Sequence, residues 1–292
     1  MRVLSLFDGI SCGMVALERA GIDVERYVAY EIEENAIKVS KSNYPQIEQK
    51  GDVFKAEYTE GEFDLLIGGS PCTHWSIARG GQNRETTASG IGFDLFMQYV
   101  RALEEVKPKY FLYENNKSMS EDIKNEITKR LGVEPIMIDS ADFSAQSRQR
   151  YYWTNIPVLL DWEKSKLVFK DIEYVHDYTT GDFSKYIDTM KVSRDGSSVR
   201  WDTSGKGYYS QHSRARVKDA KMTTLCCSAT SNKIYLGDCK YRGLHPIEAE
   251  RLQTLPDNYT SCISAKGKRI GLCGNGWTVD IITHILKGIK EG

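Results

Sequence analysis

The stretch Phe63-Asp64-Leu65-Leu66-Ile67-Gly68-Gly69-Ser70-Pro71-Cys72-Thr73-His74-Trp75-Ser76 decides how the chain is read. Phe63 to Ile67 is a short apolar run, the pattern of a strand buried on both faces. Gly68-Gly69-Ser70-Pro71 breaks it and predicts a turn. Cys72 is the first reactive side chain past that turn. Open α/β sheets bind ligands at the carboxyl ends of their strands, so the position is one where chemistry is done. Pro71 fixes its own φ and restricts Ser70, which aims the thiol. A free cysteine is more often a small buried hydrophobe than a nucleophile. Both readings stand on this segment alone.

Similar strand-to-turn units flank it. Val3 to Phe7 reads as a buried strand, followed by the Gly-containing turn Asp8-Gly9-Ile10-Ser11-Cys12-Gly13 and a helix from Met14 to Ala20. Such a turn lets a ligand approach the backbone and aims a helix amino-terminus at it, although the GxGxxG spacing is not fulfilled. Tyr27 to Tyr30 is the second strand and Glu31 follows it. An acid there suits ribose hydroxyls; a helix-start carboxylate favoured by the macrodipole looks the same. Asp52, in Gly51-Asp52-Val53, is a candidate acceptor for an adenine amino group or a turn cap. Phe93 to Val106 has the spacing of a core-facing helix. Tyr110 to Tyr113 is another buried strand, ending in Glu114-Asn115-Asn116. Adjacent strands would bring Cys72 and Glu114 to one crevice.

Further along, Ser120 to Leu131 reads as a helix and Ile136 to Ile138 as a short strand. Arg148 and Arg150 alternate, so an extended backbone points both to one face. After Pro157 the texture becomes polar and rich in Tyr, Ser and Gly up to about Gly237. Between Lys191 and Lys221 eight basic residues face three acidic ones, a bias shared by nucleic-acid surfaces and solvated loops. Tyr208, Tyr209, Gln211, His212, Arg214 and Arg216 form an aromatic-basic cluster suited to base-edge and backbone contacts. Thr223 to Cys226 is a strand candidate. His245-Pro246 opens a helix in which Glu248 and Arg251 stand at i,i+3 and could pair. Gly274-Asn275-Gly276 predicts a turn before an amphipathic closing helix.

The totals set bounds. The 292 residues are 40% hydrophobic and 27% charged, with a net charge of −1, which is an ordinary globular composition without a global basic field. Seven cysteines, an odd number without paired CxxC spacing, argue for a reducing compartment and against disulfide or zinc frameworks; no metal is expected. No leader is evident ahead of Val3, and no apolar run approaches the ~20 residues of a membrane span. A cytoplasmic chain is expected.

Together these features suggest nucleophilic attack on a base, with group transfer from an adenosine cofactor. A cytosine ring is inert at C5 until a nucleophile adds at C6, which a thiolate can do while an acid at N3 stabilises the adduct. In this order the motifs resemble the DNA (cytosine-5) methyltransferase family. Phe7-Asp8-Gly9-Ile10-Ser11-Cys12-Gly13 resembles its first cofactor motif, Glu31 its ribose-binding acid, and Ile32 the side chain packed on adenine. Gly51-Asp52-Val53 resembles the adenine-amino motif and Gly69-Ser70-Pro71-Cys72 the nucleophile motif. Glu114-Asn115-Asn116 resembles Glu-Asn-Val, and Gln146 to Arg150 resembles Gln-x-Arg-x-Arg. Arg242 to Glu248, with Arg251-Leu252-Gln253 and Pro256-Asp257, resembles the ninth motif, and Gly274-Asn275-Gly276 the tenth.

The resemblance implies an α/β, Rossmann-like fold dependent on S-adenosyl-L-methionine, with a second, smaller target-recognition domain. The implied boundaries are a catalytic domain at 1–157, target recognition at 158–240 and a return segment at 241–292, whose 274–292 portion packs back on the catalytic domain. Implied catalytic residues are Cys72, attacking C6; Glu114, engaging N3 and the amino group of a flipped-out cytosine; Arg150, holding the base oxygen; and Arg148, supporting the loop or a phosphate. Implied cofactor residues are Phe7, Asp8, Gly9, Ile10, Ser11, Cys12, Gly13, Glu31, Ile32, Asp52, Val53, Pro71, Leu95, Asn275, Gly276 and Trp277. The expected partner is double-stranded DNA, with a cognate restriction endonuclease as a candidate; a monomer is expected.

Departures from the pattern are Ser11 and Cys12 for glycines, Thr73 for Gln, Asn116 for Val and Gly276 for Ser. The wording around Trp75, Tyr151 to Pro157 and Gly274 to Val279 resembles the catalytic domain of the eukaryotic de novo enzymes. The compact chain resembles a bacterial or phage enzyme. Three rivals are a tRNA-methylating enzyme, whose Cys-Phe-Thr signature is not apparent; a catalytically inactive methyltransferase-like DNA-binding protein; and a nicotinamide-dependent oxidoreductase.

Overall fold

The computed structural model describes residues 1–71, 74–76, 84–174, 180–203, 214–226 and 232–291. Two compact units are formed: Met1–Asp139 with Gln149–Trp162 and Val279–Gly292, and Ser140–Arg148 with Glu163–Thr278.

The first unit begins with β1 (Arg2–Leu6), α1 (Cys12–Arg19), β2 (Arg26–Tyr30), α2 (Glu34–Asn43) and β3 (Glu48–Gln49). It continues through β4 (Leu65–Gly68), α3 (Ile91–Val106), β5 (Tyr110–Asn116), α4 (Glu121–Leu131), β6 (Ile136–Asp139) and β7 (Gln149–Thr154). Local chemistry sets the helix ends. Glu33 caps α2 by accepting from the Ala36 amide, and Ser120 caps α4. Lys107 ends α3 in the left-handed region, and Gly132 does the same for α4, where the missing Cβ makes that conformation cheap.

The strands form one sheet in the order β3-β2-β1-β4-β5-β7-β6. All neighbours pair parallel except β7, which runs antiparallel to both β5 and β6. The order reverses direction at β1, so the carboxyl ends of β1 and β4 flank a topological switch point. Leu4, Leu6, Leu65, Leu66 and Ile67 are fully buried, as a sheet covered on both faces requires. Phe96, Tyr99, Tyr113 and Trp153 pack around β5, with successive ring centroids meeting Tyr113 at 5.2, 4.9 and 5.8 Å.

The second unit carries a six-stranded sheet in the order β8-β13-β12-β11-β10-β9. Its strands are β8 (Thr180–Asp182), β9 (Lys191–Val192), β10 (Ser198–Arg200), β11 (Arg214–Arg216), β12 (Lys233–Gly237) and β13 (Lys240–Gly243), followed by α5 (Pro246–Leu252) and α6 (Lys266–Asn275). Its strands are two to five residues long, too short to show a period in the polar sequence after Pro157. Thr223 to Cys226, expected to be a strand, is not one; only the neighbouring Met222 makes an isolated bridge, to Gln146. Phe183 stacks on Trp201 at 4.1 Å, and Trp201 on Tyr241 at 5.4 Å. Gly181 lies against Tyr241, where a Cβ would fall 2.3 Å from the ring.

The last helix, α7 (Val279–Glu291), belongs to the first unit and packs on α1. Arg19 pairs with Asp280 at 2.7 Å, and the Thr283 hydroxyl donates to the Ala16 carbonyl. Gly288 comes so near the Pro157 carbonyl that no Cβ fits.

Candidate active site

The first turn is held by two carboxylates. Phe7, Gly9 and Ser11 all have positive φ, near 60°, which is strained for Phe7 and Ser11. Asp8 accepts hydrogen bonds from Ser5 Oγ at 2.6 Å, Ser11 Oγ at 2.5 Å and Tyr27 Oη at 2.7 Å. Burial pushes the Asp8 carboxyl up, against these three hydroxyls. These three bonds tie Asp8 into the turn. Glu31 accepts from the Gly9 amide at 2.8 Å with one oxygen, and from the Ile32 and Glu33 amides at 2.8 and 2.9 Å with the other. A carboxylate has about four acceptor positions, so one remains for a ligand hydroxyl.

Two apolar side chains after β2 and β3 are exposed, Ile32 two residues past β2 and Phe54 in the 3-10 turn Val53–Lys55. Ile32 is 73% and Phe54 54% exposed. Asp52 accepts from the Phe54 amide at 3.0 Å with Oδ1, while Val53 is buried in the core. Phe54, not Val53, therefore offers an open aromatic face; the sequence signal was the residue after Asp52-Val53. Ile10, Cys12 and Gly13 are buried in the turn and in α1, and Leu95 is half-buried on α3.

The carboxyl ends of β4 and β5 are stitched together. Ser70 Oγ lies 2.7 Å from Tyr113 Oη, and Asn115 Nδ2 donates to the Ser70 carbonyl at 3.0 Å. Pro71 is exposed. Cys72 and Thr73 lie outside the described residues. Beyond them, Glu85 gathers the loop: it accepts from Trp75 Nε1 at 3.2 Å and the Gly92 amide at 3.1 Å, and pairs with His74 at 3.3 Å. On β5, Glu114 pairs with Arg150 of β7 at 2.9 Å, both side chains only 11% exposed. Glu114 is registered with Tyr152 and Asn116 with Arg150; the pair is diagonal on one face of the sheet.

The profile of the C-5 cytosine-specific DNA methylase family matches residues 1–291. The chain belongs to this family. Over 167 residues it is 35% identical to the orphan methyltransferase M.Rho11sI of Bacillus phage rho11s, covering 52% of this chain but only 32% of that one. It is 24% identical to the type II methyltransferase M.NgoPII of Neisseria gonorrhoeae, over all of this chain and 96% of that one. The Entamoeba histolytica methyltransferase EhMeth superposes with a TM-score of 0.72 at 14% identity, covering 100% of this chain and 98% of the other. The fold is thus the Rossmann-like fold of the cytosine-C5 methyltransferases.

In this methylase-family chain, Arg148 and Arg150 do not act as a same-face pair. β7 starts only at Gln149. Arg148 is 5% exposed and donates to the carbonyls of Leu225, Gly274 and Gly276 at 3.1–3.2 Å, all within the second unit. Its guanidinium ties these three carbonyls together. Gln146 and Gln253, quoted above within motifs but given no role, complete the same buried network: Gln146 Nε2 donates to the Leu252 carbonyl at 2.7 Å and Gln253 Nε2 to the Cys273 carbonyl at 2.7 Å. Asn275 ends α6 and Gly276 caps it, so Gly274-Asn275-Gly276 closes a helix rather than making a free turn. Trp277 follows that cap. The expected Glu248–Arg251 pair does not form. Glu248 is bound bidentately by Arg242 at 2.8 and 2.9 Å, and Arg251 pairs with Asp257 at 2.6 Å.

Proposed function

We propose that this chain is a DNA (cytosine-5) methyltransferase that methylates C5 of a flipped-out cytosine through a covalent Cys72–C6 adduct. The observation that carries the reading is the joined end of β4 and β5. The Ser70–Asn115 hydrogen bonds fix the backbone two residues before Cys72, beside the buried Glu114–Arg150 pair.

The residues at the switch point fit S-adenosyl-L-methionine. Glu31 keeps an acceptor position for a ribose hydroxyl, Ile32 and Phe54 present apolar surface to a purine, and Asp52 has one oxygen outside its cap. When bound, the cofactor supplies an electrophilic methyl group. Cys72 would add to C6 as the thiolate, making C5 nucleophilic, and would leave again when the C5 proton is lost. Glu114 would hold a proton at N3, and Arg150 would bind the base oxygen while keeping Glu114 in place. Pro71 directly precedes Cys72 in the chain, and Leu95 lies in the first turns of α3. The roles of Asn275, Gly276 and Trp277 toward the cofactor rest on the resemblance alone.

Target recognition is assigned to 158–240, supported by the sheet β8–β13 that forms apart from the Rossmann-like sheet. A monomer acting on double-stranded DNA in the cytoplasm of a bacterial or phage-infected cell is proposed, with a cognate restriction endonuclease as candidate partner. The full-length likeness to a type II methyltransferase supports the candidate endonuclease partner; no helix among the described residues is long and apolar enough to cross a membrane.

The test is base-resolution mapping. Protein is incubated with S-adenosyl-L-methionine and mixed-sequence duplex DNA, and every cytosine is read by bisulfite sequencing, with Cys72→Ser in parallel. Protection in one short context, absent from the variant, is expected. No protection above the variant would overturn the reading, and the same assay on tRNA would then separate an RNA enzyme from an inactive binding protein.

A further inference from the structure

Tyr113 carries a hydroxyl that its packing does not need. The residue is fully buried, and its ring meets Phe96, Tyr99 and Trp153, which a phenylalanine ring would meet equally well. A buried hydroxyl costs stability unless it is hydrogen-bonded, so its bonds define its role. Tyr113 Oη lies 2.7 Å from Ser70 Oγ and accepts from Asn115 Nδ2 at 3.1 Å. Burial pushes the phenol up, so it keeps its proton.

Asn115 closes a triangle with these two hydroxyls. Its Nδ2 also donates to the Ser70 carbonyl at 3.0 Å, and its Oδ1 is held from the other side. The Asn116 backbone amide and Asn116 Nδ2 donate to that oxygen at 2.8 and 3.2 Å, and Ser118 Oγ donates to Asn116 Oδ1 at 2.7 Å. Turning the Asn115 amide over would set donor against donor, so its orientation is fixed. Ser70, Asn115 and Asn116 are all buried. Asn116 stands where the resembled motif has Val, and a valine there would have no side-chain donor for Asn115.

We infer that Tyr113 is a positioning residue for the nucleophile, acting through Ser70, with Asn116 fixing the amide that completes the contact. The inference rests on the proposed function and deepens it. The chain of bonds from Ser118 through Asn116, Asn115 and Tyr113 holds both the carbonyl and the hydroxyl of Ser70. Ser70 stands two residues before Cys72, and the residue between them is Pro71, whose ring fixes φ. Few rotations therefore separate the held residue from the thiol. Attack on C6 needs the sulfur close and aligned, and a displacement of about 1 Å can cost about a hundredfold in rate. Tyr113 lies in the core, away from the surface that DNA can reach, so its effect falls on addition rather than on binding. A bond that only joined β4 to β5 would add little, because the strands already pair from Leu65–Tyr110 to Gly68–Tyr113.

The experiment traps the adduct. The intact chain is mixed with S-adenosyl-L-methionine and a saturating mixed-sequence duplex carrying 5-fluorocytosine, and covalent complex is followed over time. Fluorine at C5 does not leave as the proton does, so the adduct accumulates. Rates are taken below the melting temperature of each variant. Tyr113→Phe should slow trapping by about ten- to a hundredfold, with KM for DNA and for S-adenosyl-L-methionine unchanged. Ser70→Ala should slow it similarly. The double variant should be no slower than the slower single one, because both substitutions remove the same interaction. Asn116→Val, which leaves the aromatic cluster intact, should also slow trapping at unchanged KM.

An unaltered trapping rate in folded Tyr113→Phe, whatever its melting temperature, would make the hydroxyl an element of stability only and overturn the inference. So would losses that multiply independently in the double variant, or a raised KM at an unchanged trapping rate. If Tyr113→Phe does not fold, Asn116→Val decides, and unslowed trapping there overturns the inference. If the unaltered chain traps DNA and the variants trap it as fast, the positioning role alone fails. If the unaltered chain traps no DNA, the enzymatic reading fails and the positioning role falls with it.

Discussion

Arg242 and Glu248 are both withdrawn from solvent, and each is the other's main partner. Their side chains are 0% exposed, joined by bonds of 2.8 and 2.9 Å, with Glu173 adding a third at 3.0 Å. Glu248 also accepts from the His245 amide at 2.8 Å, closing the capping box of α5. Removing one partner of a buried pair strands the other, so Glu248→Ala should cost about 3–5 kcal/mol, read from urea unfolding. Replacing both residues with apolar side chains of similar volume should cost less. At this scale the sequence misleads: Glu248 and Arg251 have helical pairing distance, yet Arg242, six residues before Glu248 on β13, takes the carboxylate. Spacing reports which residues share a helix face, not which neighbouring strand approaches it.

At the scale of elements, β2 and β3 are clamped by Arg26. Its guanidinium bonds Glu48 at 2.7 Å and Glu62 at 2.7 Å. The hydrogen bond from Arg26 is the main reason the Glu48 carboxyl drops from its ordinary 4.5 to about 2. Because the folded value lies below the unfolded one, the contribution is complete above about pH 4.5 and is lost as pH falls toward about 2. Both side chains are over a third exposed, so solvent screening keeps the effect small. Unfolding midpoints of the unaltered chain and Arg26→Gln should therefore differ at neutral pH and converge in acid; a constant difference would refute the linkage. The parallel strands were legible in sequence where apolar runs end in breakers, as at Leu65 to Gly68. The strands of the second unit were not, because runs of two to five residues such as Lys191–Val192 carry no clear period, and only their cross-strand partners define them.

For the whole molecule, the two units predict unequal response to ligand. S-adenosyl-L-methionine at a hundredfold excess over its Kd should stabilise the chain by about 2.7 kcal/mol, measured by thermal melting. Hydrogen exchange should slow at residues 7–13, 31–33 and 52–54, the turn and strand ends built around Asp8, Glu31 and Asp52. Slowing at 275–277 would support the role implied for Asn275, Gly276 and Trp277; unchanged exchange there would remove them from the site. Absence of any shift at 7–13 would place the cofactor elsewhere.

Sequence by itself determined the class of fold, the order of motifs and the identity of the chemical groups, because these depend on local period, breakers and residue type. Asp8, Glu31 and Glu114 stand out that way. Only the tertiary structure decided what those groups are bonded to. Asp8 is bonded by Ser5, Ser11 and Tyr27; Arg148 bonds carbonyls up to 128 residues away; Lys191, Arg200 and Arg214 meet across three strands. Such partnerships are set by which segments fold against one another, and hydrogen bonds and charge repulsion act over a few ångströms of space rather than along the chain.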